Sequence, residues 1–444
     1  MKSKILFLPL ARTTFSIADA ENNFRRSCNL LNRFFDDICY PQELLTSPEM
    51  LSVFMDTVDN PGLVIYQCAT FIGSDFVSEI TRRFHCPVVV WSLREPAIDG
   101  GRLRLNSLTG AFSACNSLFM QGYNYRFVLG NPDESAVEVK FRQMMFAFSL
   151  TKKMSDLVIG VVGSQPAGFG FGDVDEALLA GKLGVRIVRT EAANIIKQAK
   201  SYASEAITGE LAELKARTKG WESIPAENLD KYARLRKSYQ EFAVQNGVKS
   251  IASRCWPDFF TEYGVPVCAV LSLLNDAGIA ASCETDIGGA ISMYIASELT
   301  AGAAYFGDPV AIDERCGGIV FWHCGAGATS LARTAEGAFL GVHPNRRIGP
   351  TMEFGLKQGA VTILRLGKDK NGLRMMTMRG QALDEPQKFC GTSLTVRPLS
   401  GSPAAKIAEL VRDGWEPHFV AAYGEITEEV RMMCNFWGIE HKEY

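Results

Sequence analysis

The strongest constraint on the fold is an alternation in the first third of the 444 residues. Short apolar runs at 5–10 (ILFLPL), 63–67 (LVIYQ), 87–91 (PVVVW) and 125–129 (YRFVL) take turns with segments of helical period, such as 21–35 and 76–84. Strands that alternate with helices call for a parallel sheet with helices on both faces. Near-continuous apolar strands fit burial on both sides.

The pattern restarts near Asp156. Residues 157–162 (LVIGVV) read as a strand, 163–173 (GSQPAGFGFGD) as a glycine-rich loop, 174–183 as a helix and 185–189 as a strand. Residues 200–247 are the most charged stretch and predict two solvated helices that turn at Pro225. After about residue 317 the texture becomes β-rich, with strand-like runs at 317–322, 338–342, 359–366, 373–378 and 392–396. Lys370-Asn371-Gly372 between two of them is a hairpin signal. A helix over 427–437 closes the chain. The expected fold class is α/β: two doubly wound, Rossmann-like α/β domains (1–153 and 154–316), then a barrel-like β-rich domain (317–444).

Several function classes drop out. Lys plus Arg is 46 against 49 for Asp plus Glu, a net charge of −3, so no strongly basic balance serves nucleic acid. The twelve cysteines contain no CxxC pair, which removes zinc ribbons and dithiol redox motifs and points to reduced thiols in a cytoplasmic protein. The opening MKSKILFLPLAR stops its apolar run at Arg12, short of a secretory signal, and no stretch reaches 18 apolar residues, so no membrane span is expected. The glycine loop lacks GxGxxG spacing and Gly-Lys-Ser/Thr, and a tight strand-to-helix turn accounts for its glycines. Among five histidines there is no HExxH, and no GxSxG occurs.

The informative region is 282–308, SCETDIGGAISMYIASELTAGAAYFGD. Glu284 and Asp286 end one apolar strand, and Asp308 follows another. Functional residues in open parallel sheets gather at strand C-terminal ends, and two converging carboxylates suit a hard divalent cation with an imidazole beside them. One of them, Glu284 or Asp286, could equally cap the following helix. His323 in FWHCG and His418 in EPHFVAAYG can complete such a set. Either one alone also fits a core histidine.

Glu284, Asp308 and His418 resemble, in order and spacing, the three metal ligands of the L-fucose isomerase family, which is related to the L-arabinose isomerases. The segment CETDIGGAISMY to LTAGAAYFGD resembles that family's central motifs, and EPHFVAAYGEI its C-terminal histidine motif. VIGVVGSQPAGFGFGDV resembles the opening of its second domain. Pro417 departs from the family by replacing an asparagine that contacts the sugar beside the histidine, so the resemblance does not carry L-fucose specificity over to this chain.

The resemblance implies an aldose–ketose isomerase. Glu284 and Asp308 would be both metal ligands and proton carriers, with His418 as third ligand. His323, Arg12 and Trp256 would be substrate contacts, His323 alternatively a fourth ligand. Mn²⁺ is the expected cofactor, with Mg²⁺ or Co²⁺ able to substitute. The implied protein is a cytoplasmic homo-oligomer, trimer or hexamer, in which neighbouring subunits complete each pocket. Pentoses, 6-deoxyhexoses and C6-modified hexoses are candidate substrates. Two arginines in His343-Pro-Asn-Arg-Arg347 add an anionic sugar such as sulfoquinovose, since guanidinium forks suit sulfonate or phosphate, although a solvated loop is the plainer reading. The competing readings are a catalytically silent sugar-binding protein on the same fold, or another sugar-directed metalloenzyme.

Overall fold

A run without a polar face has to be buried on both sides, and Ile5–Leu10 is buried along its whole length as strand β1. In the computed structural model, which describes residues 4–444, β1 is followed by β2 (Ile38–Cys39), β3 (Leu63–Cys68), β4 (Val88–Ser92) and β5 (Tyr125–Leu129). They form one sheet in the order β2-β1-β3-β4-β5, every pairing parallel. The first helix spans Ile17–Leu31 rather than 21–35. Ser16 caps it by accepting from the Asp19 amide, and the chain turns off before Phe34 and Phe35. This sheet belongs to a unit that runs through Lys152 and includes Arg431–Gly438.

The second unit takes in Lys153–Val430 and Ile439–Tyr444. It begins with a second all-parallel sheet, of order β7-β6-β8-β9. Its strands are β6 (Val158–Val162), β7 (Arg186–Thr190), β8 (Ser250–Ser253) and β9 (Ala280–Cys283). The charged stretch forms helices Thr208–Arg217 and Ala226–Asn246, with Pro225 at the N-cap of the second. That second helix is not a solvated insertion. Leu229, Tyr232, Ala233, Arg236, Tyr239 and Phe242 form a buried stripe, and the Tyr239 hydroxyl meets Ser253 Oγ at 2.6 Å. Charge density hid an ordinary amphipathic face.

The β-rich part begins before residue 317, at β10 (Tyr305–Asp313). After it come β11 (Gly318–His323), β12 (Phe339–Gly341), β13 (Thr351–Gly355), β14 (Gly359–Asp369), β15 (Gly372–Ala382), β16 (Thr392–Pro398), β17 (Phe419–Tyr423) and β18 (Glu440–Glu443). The order β16-β11-β10-β17-β14-β15, with β15 pairing back onto β16, closes a six-stranded barrel. Closure leaves these strands no bare edge along the ring. The Lys370-Asn371-Gly372 hairpin is present, with Asp369 paired to Gly372 and Gly372 at φ 124°. Among the described residues no helix is long and apolar enough to cross a membrane.

All twelve cysteines are free. Cys68, Cys255, Cys268, Cys283, Cys324 and Cys434 are buried, and Cys390 is the exposed one. Burial also pushes the partly covered Cys28 and Cys86 thiols up to about 12. A bulky disulfide reagent is therefore expected to label Cys390 first in the native protein, because the thiolate is the nucleophile. Cys68, Cys268, Cys283 and Cys434, which are buried with raised thiols, should react only on unfolding. Mass mapping of labelled peptides checks this, and early modification of Cys68 or Cys434 would contradict the packing.

Candidate active site

Three segments of the second unit converge. Glu284 follows β9 directly. Asp308 lies inside β10 rather than just after a strand, because pairing with β11 continues through Asp308 opposite Trp322. His418 immediately precedes β17, the antiparallel neighbour of β10, where Gly307 is paired with Phe419. The next step of that register sets Asp308 beside His418. The two carboxylates thus come from a parallel sheet and from the barrel, not from one sheet edge.

The geometry centres on the His418 ring, which is buried. Its Nε2 lies 3.0 Å from Glu284 Oε2 and 3.2 Å from Asp308 Oδ1. Its Nδ1 lies 2.8 Å from Asp286 Oδ2. Phe306 and Phe171 flank the ring, with centroids at 4.7 Å and 5.0 Å. Burial alone would lower the imidazole, but the hydrogen bonds to Asp286 and Glu284 outweigh it and push His418 up to about 10. Burial raises the Asp308 carboxyl above its ordinary range. Asp308 Oδ1 is buried without a hydrogen bond of its own.

Asp286 carries the support. It is fully buried and accepts from the Gly289 amide at 2.8 Å, so it does cap helix Ile287–Thr300. The same carboxylate takes the Arg365 Nη1 at 2.6 Å and His418 Nδ1. Burial works to raise Asp286, yet the Arg365 charge and the His418 contact prevail and hold it down to about 2. Arg365 is itself buried in mid-strand β14. Such a residue in an otherwise apolar strand is the sequence signal of a buried partner. Gly289 permits the approach, since a Cβ there would meet Phe306 at 2.4 Å.

Glu284 and Thr285 both adopt left-handed backbone, φ 58° and 57°. This costs of order 1–3 kcal/mol per residue outside glycine and clusters at functional sites. The Thr285 amide is pinned to Ser253 O at 3.0 Å, which fixes the corner from which Glu284 projects.

A cavity of about 230 Å³ opens over these groups, lined among others by Glu284, Asp308, His323, Trp256 and Phe169. His323, expected as a ligand or substrate contact, ends β11 and is held by Cys324, whose Sγ is 3.5 Å from Nδ1. The glycine-rich loop is more than a turn. Gly172 packs so closely that a Cβ would meet Asp286 Cα at 3.0 Å, and Phe169 and Phe171 form a wall beside His418. The 343–347 segment is not a free loop either, since His343 is buried and Asn345 and Arg346 line the cavity. Arg12 lies in the first unit just beyond β1, where it pairs with Asp75 and stands 4.8 Å over the Phe76 ring. A larger hollow of about 750 Å³ in the first unit has no histidine or basic residue in its lining.

No family model matches the chain. It is 42% identical over 445 residues to a sulfoquinovose isomerase of Clostridium sp. (99% of both chains), and 39% identical over 443 residues to one of Priestia megaterium (99% of both). A third, from Alkalicoccus urumqiensis, is 38% identical over 431 residues, 96% of each chain. Likeness at this level from end to end means that the chain belongs to the sulfoquinovose isomerase family.

Proposed function

We propose that this protein is a metal-dependent aldose–ketose isomerase of the L-fucose isomerase type. It would interconvert sulfoquinovose, a glucose analogue with a sulfonate carbon-bound at C6, and the corresponding ketose. The observation that carries this reading is the meeting of Glu284 Oε2 and Asp308 Oδ1 on one histidine nitrogen, His418 Nε2, in a chain whose full-length relatives are named for that reaction.

The residues fit a divalent cation. Two carboxylate oxygens and one imidazole nitrogen converge, one of those oxygens without a hydrogen bond. The donor set suits Mn²⁺, with Mg²⁺ or Co²⁺ as substitutes. Such an ion, held by Glu284, Asp308 and His418, would supply Lewis-acid stabilisation of the negative charge that develops across O1 and O2.

The chain's own residues do the rest. The reaction takes a proton from C2 and returns one to C1, while a hydroxyl proton passes from O2 to O1. One of the two carboxylates carries the carbon-bound proton and the other the hydroxyl proton, and their roles exchange with direction. Asp286 fixes the tautomer and orientation of His418 through Nδ1, as hydrogen-bonded carboxylates do behind ligand histidines. His323 and Trp256 contact the sugar from the cavity wall. Arg12 is a further substrate contact, delivered in a cytoplasmic homo-oligomer, a trimer or hexamer.

The test is proton exchange. Chelator-stripped protein should be inert, and added Mn²⁺ should restore both ketose formation and deuterium entry at C2 of sulfoquinovose in D₂O, followed by NMR. Sugar binding without exchange would support a silent binding protein instead, and cleavage products a different metalloenzyme.

A further inference from the structure

The family reaction does not say how this chain holds the charged end of its substrate. Building on the reading above, we propose that Arg346 takes the sulfonate at the mouth of the cavity while C1 and C2 face Glu284 and Asp308. Arg346 is the one lysine or arginine among the residues that line this cavity. Among the described residues no carboxylate lies within ion-pair distance of its guanidinium. Arg254, two residues from Trp256, is by contrast committed to Asp258 and Ser164. A guanidinium at the cavity lining with no ion-pair partner of its own is open to an anion from outside.

The guanidinium is placed before any ligand arrives. It stands 5.1 Å over the Trp256 ring and 5.0 Å over Phe260, a stacking that suits a planar cation. Its loop is tied from within. The His343 amide donates to Ile348 O at 2.9 Å, the Arg347 amide to His343 O at 2.8 Å, and the Asn345 amide to His343 Nδ1 at 3.3 Å. The His343 ring is buried edge-on against Phe260, centroids 5.0 Å apart. Arg346 itself is exposed, which suits the outer end of an extended sugar whose reacting end lies deep. A sulfonate stays ionised throughout the physiological range and offers three acceptor oxygens, so a forked donor matches it in charge and shape. Trp256 then acts partly by supporting Arg346.

The experiment compares sulfoquinovose with quinovose, the same sugar with hydrogen in place of sulfonate, on Mn²⁺-loaded full-length protein. Arg346→Ala should lower kcat/KM for sulfoquinovose about 100-fold, the size expected for one charged hydrogen-bonded contact, mostly through KM. Quinovose turnover should change far less, and Arg346→Lys should recover part of the loss. Where quinovose turns over too slowly, calorimetric Kd values for the two sugars supply the same comparison. Equal losses on both sugars, or no loss on sulfoquinovose, would overturn the role of Arg346 and leave the isomerase intact. If the unaltered protein turns over neither sugar, the isomerase reading fails, and this proposal with it.

Discussion

Glu284→Gln is expected to lower kcat/KM for sulfoquinovose by about 10⁴-fold, the upper range for losing a positioned acid–base group. Glutamine keeps the size of the side chain and an acceptor oxygen near His418 Nε2, but it cannot take a proton and carries no charge. The left-handed corner at Glu284 and Thr285 is set by the Thr285 amide on Ser253 O, which the change leaves alone. The folded state should therefore survive, with circular dichroism and melting temperature near those of the unaltered protein. Retention of a tenth or more of the activity in a correctly folded Glu284→Gln protein would remove Glu284 from the chemistry.

Arg365→Leu is expected to cost about 3–5 kcal/mol of stability, because it strands the fully buried Asp286 carboxylate without its charge partner. Urea unfolding followed by fluorescence measures the loss. The pH dependence has a definite sign. With Arg365 present, Asp286 sits at about 2 in the folded protein, below the ~3.9 of an unfolded aspartate. Its contribution is thus fully present above pH ~3.9 and is lost as pH falls toward 2. Removing the arginine raises the folded value, so acid unfolding of Arg365→Leu should begin at higher pH. A stability within 1 kcal/mol of the unaltered protein, or an unmoved acid transition, would mean that Asp286 is held chiefly by the helix amide and His418.

Local patterns were legible in the sequence where a single element decides them. Runs such as 5–10 and 125–129 appear as strands at the expected residues. The helix expected at 427–437 is present at Thr427–Trp437, although it does not close the chain, because β18 follows it and pairs with β15. Glu284, Asp308 and His418 could be named from ordered motifs, and the structure brings them together. What the sequence did not yield depends on partners far along the chain. Arg365 meets Asp286 across 79 positions, and no local period shows that an arginine in β14 lies under a helix terminus. Asp308 falls within a strand because barrel pairing, absent from the local pattern, extends β10 beyond its apolar start. The loop at 163–173 showed only the backbone role of its glycines, since the packing of Phe169 and Phe171 on His418 needs the barrel to be present.

The register between β10 and β17 also bears on how the protein is made. His418 is joined to Asp286 over 132 positions and lies near the end of the chain. On the ribosome, Glu284 and Asp308 emerge long before the histidine that gathers them. The five-stranded parallel sheet is complete by Leu129, but the barrel cannot close, nor the three side chains meet, until synthesis is nearly over. The meeting of Glu284, Asp308 and His418 is therefore among the last parts of the molecule to form, and a chain truncated ahead of His418 would carry both carboxylates without ever gathering them.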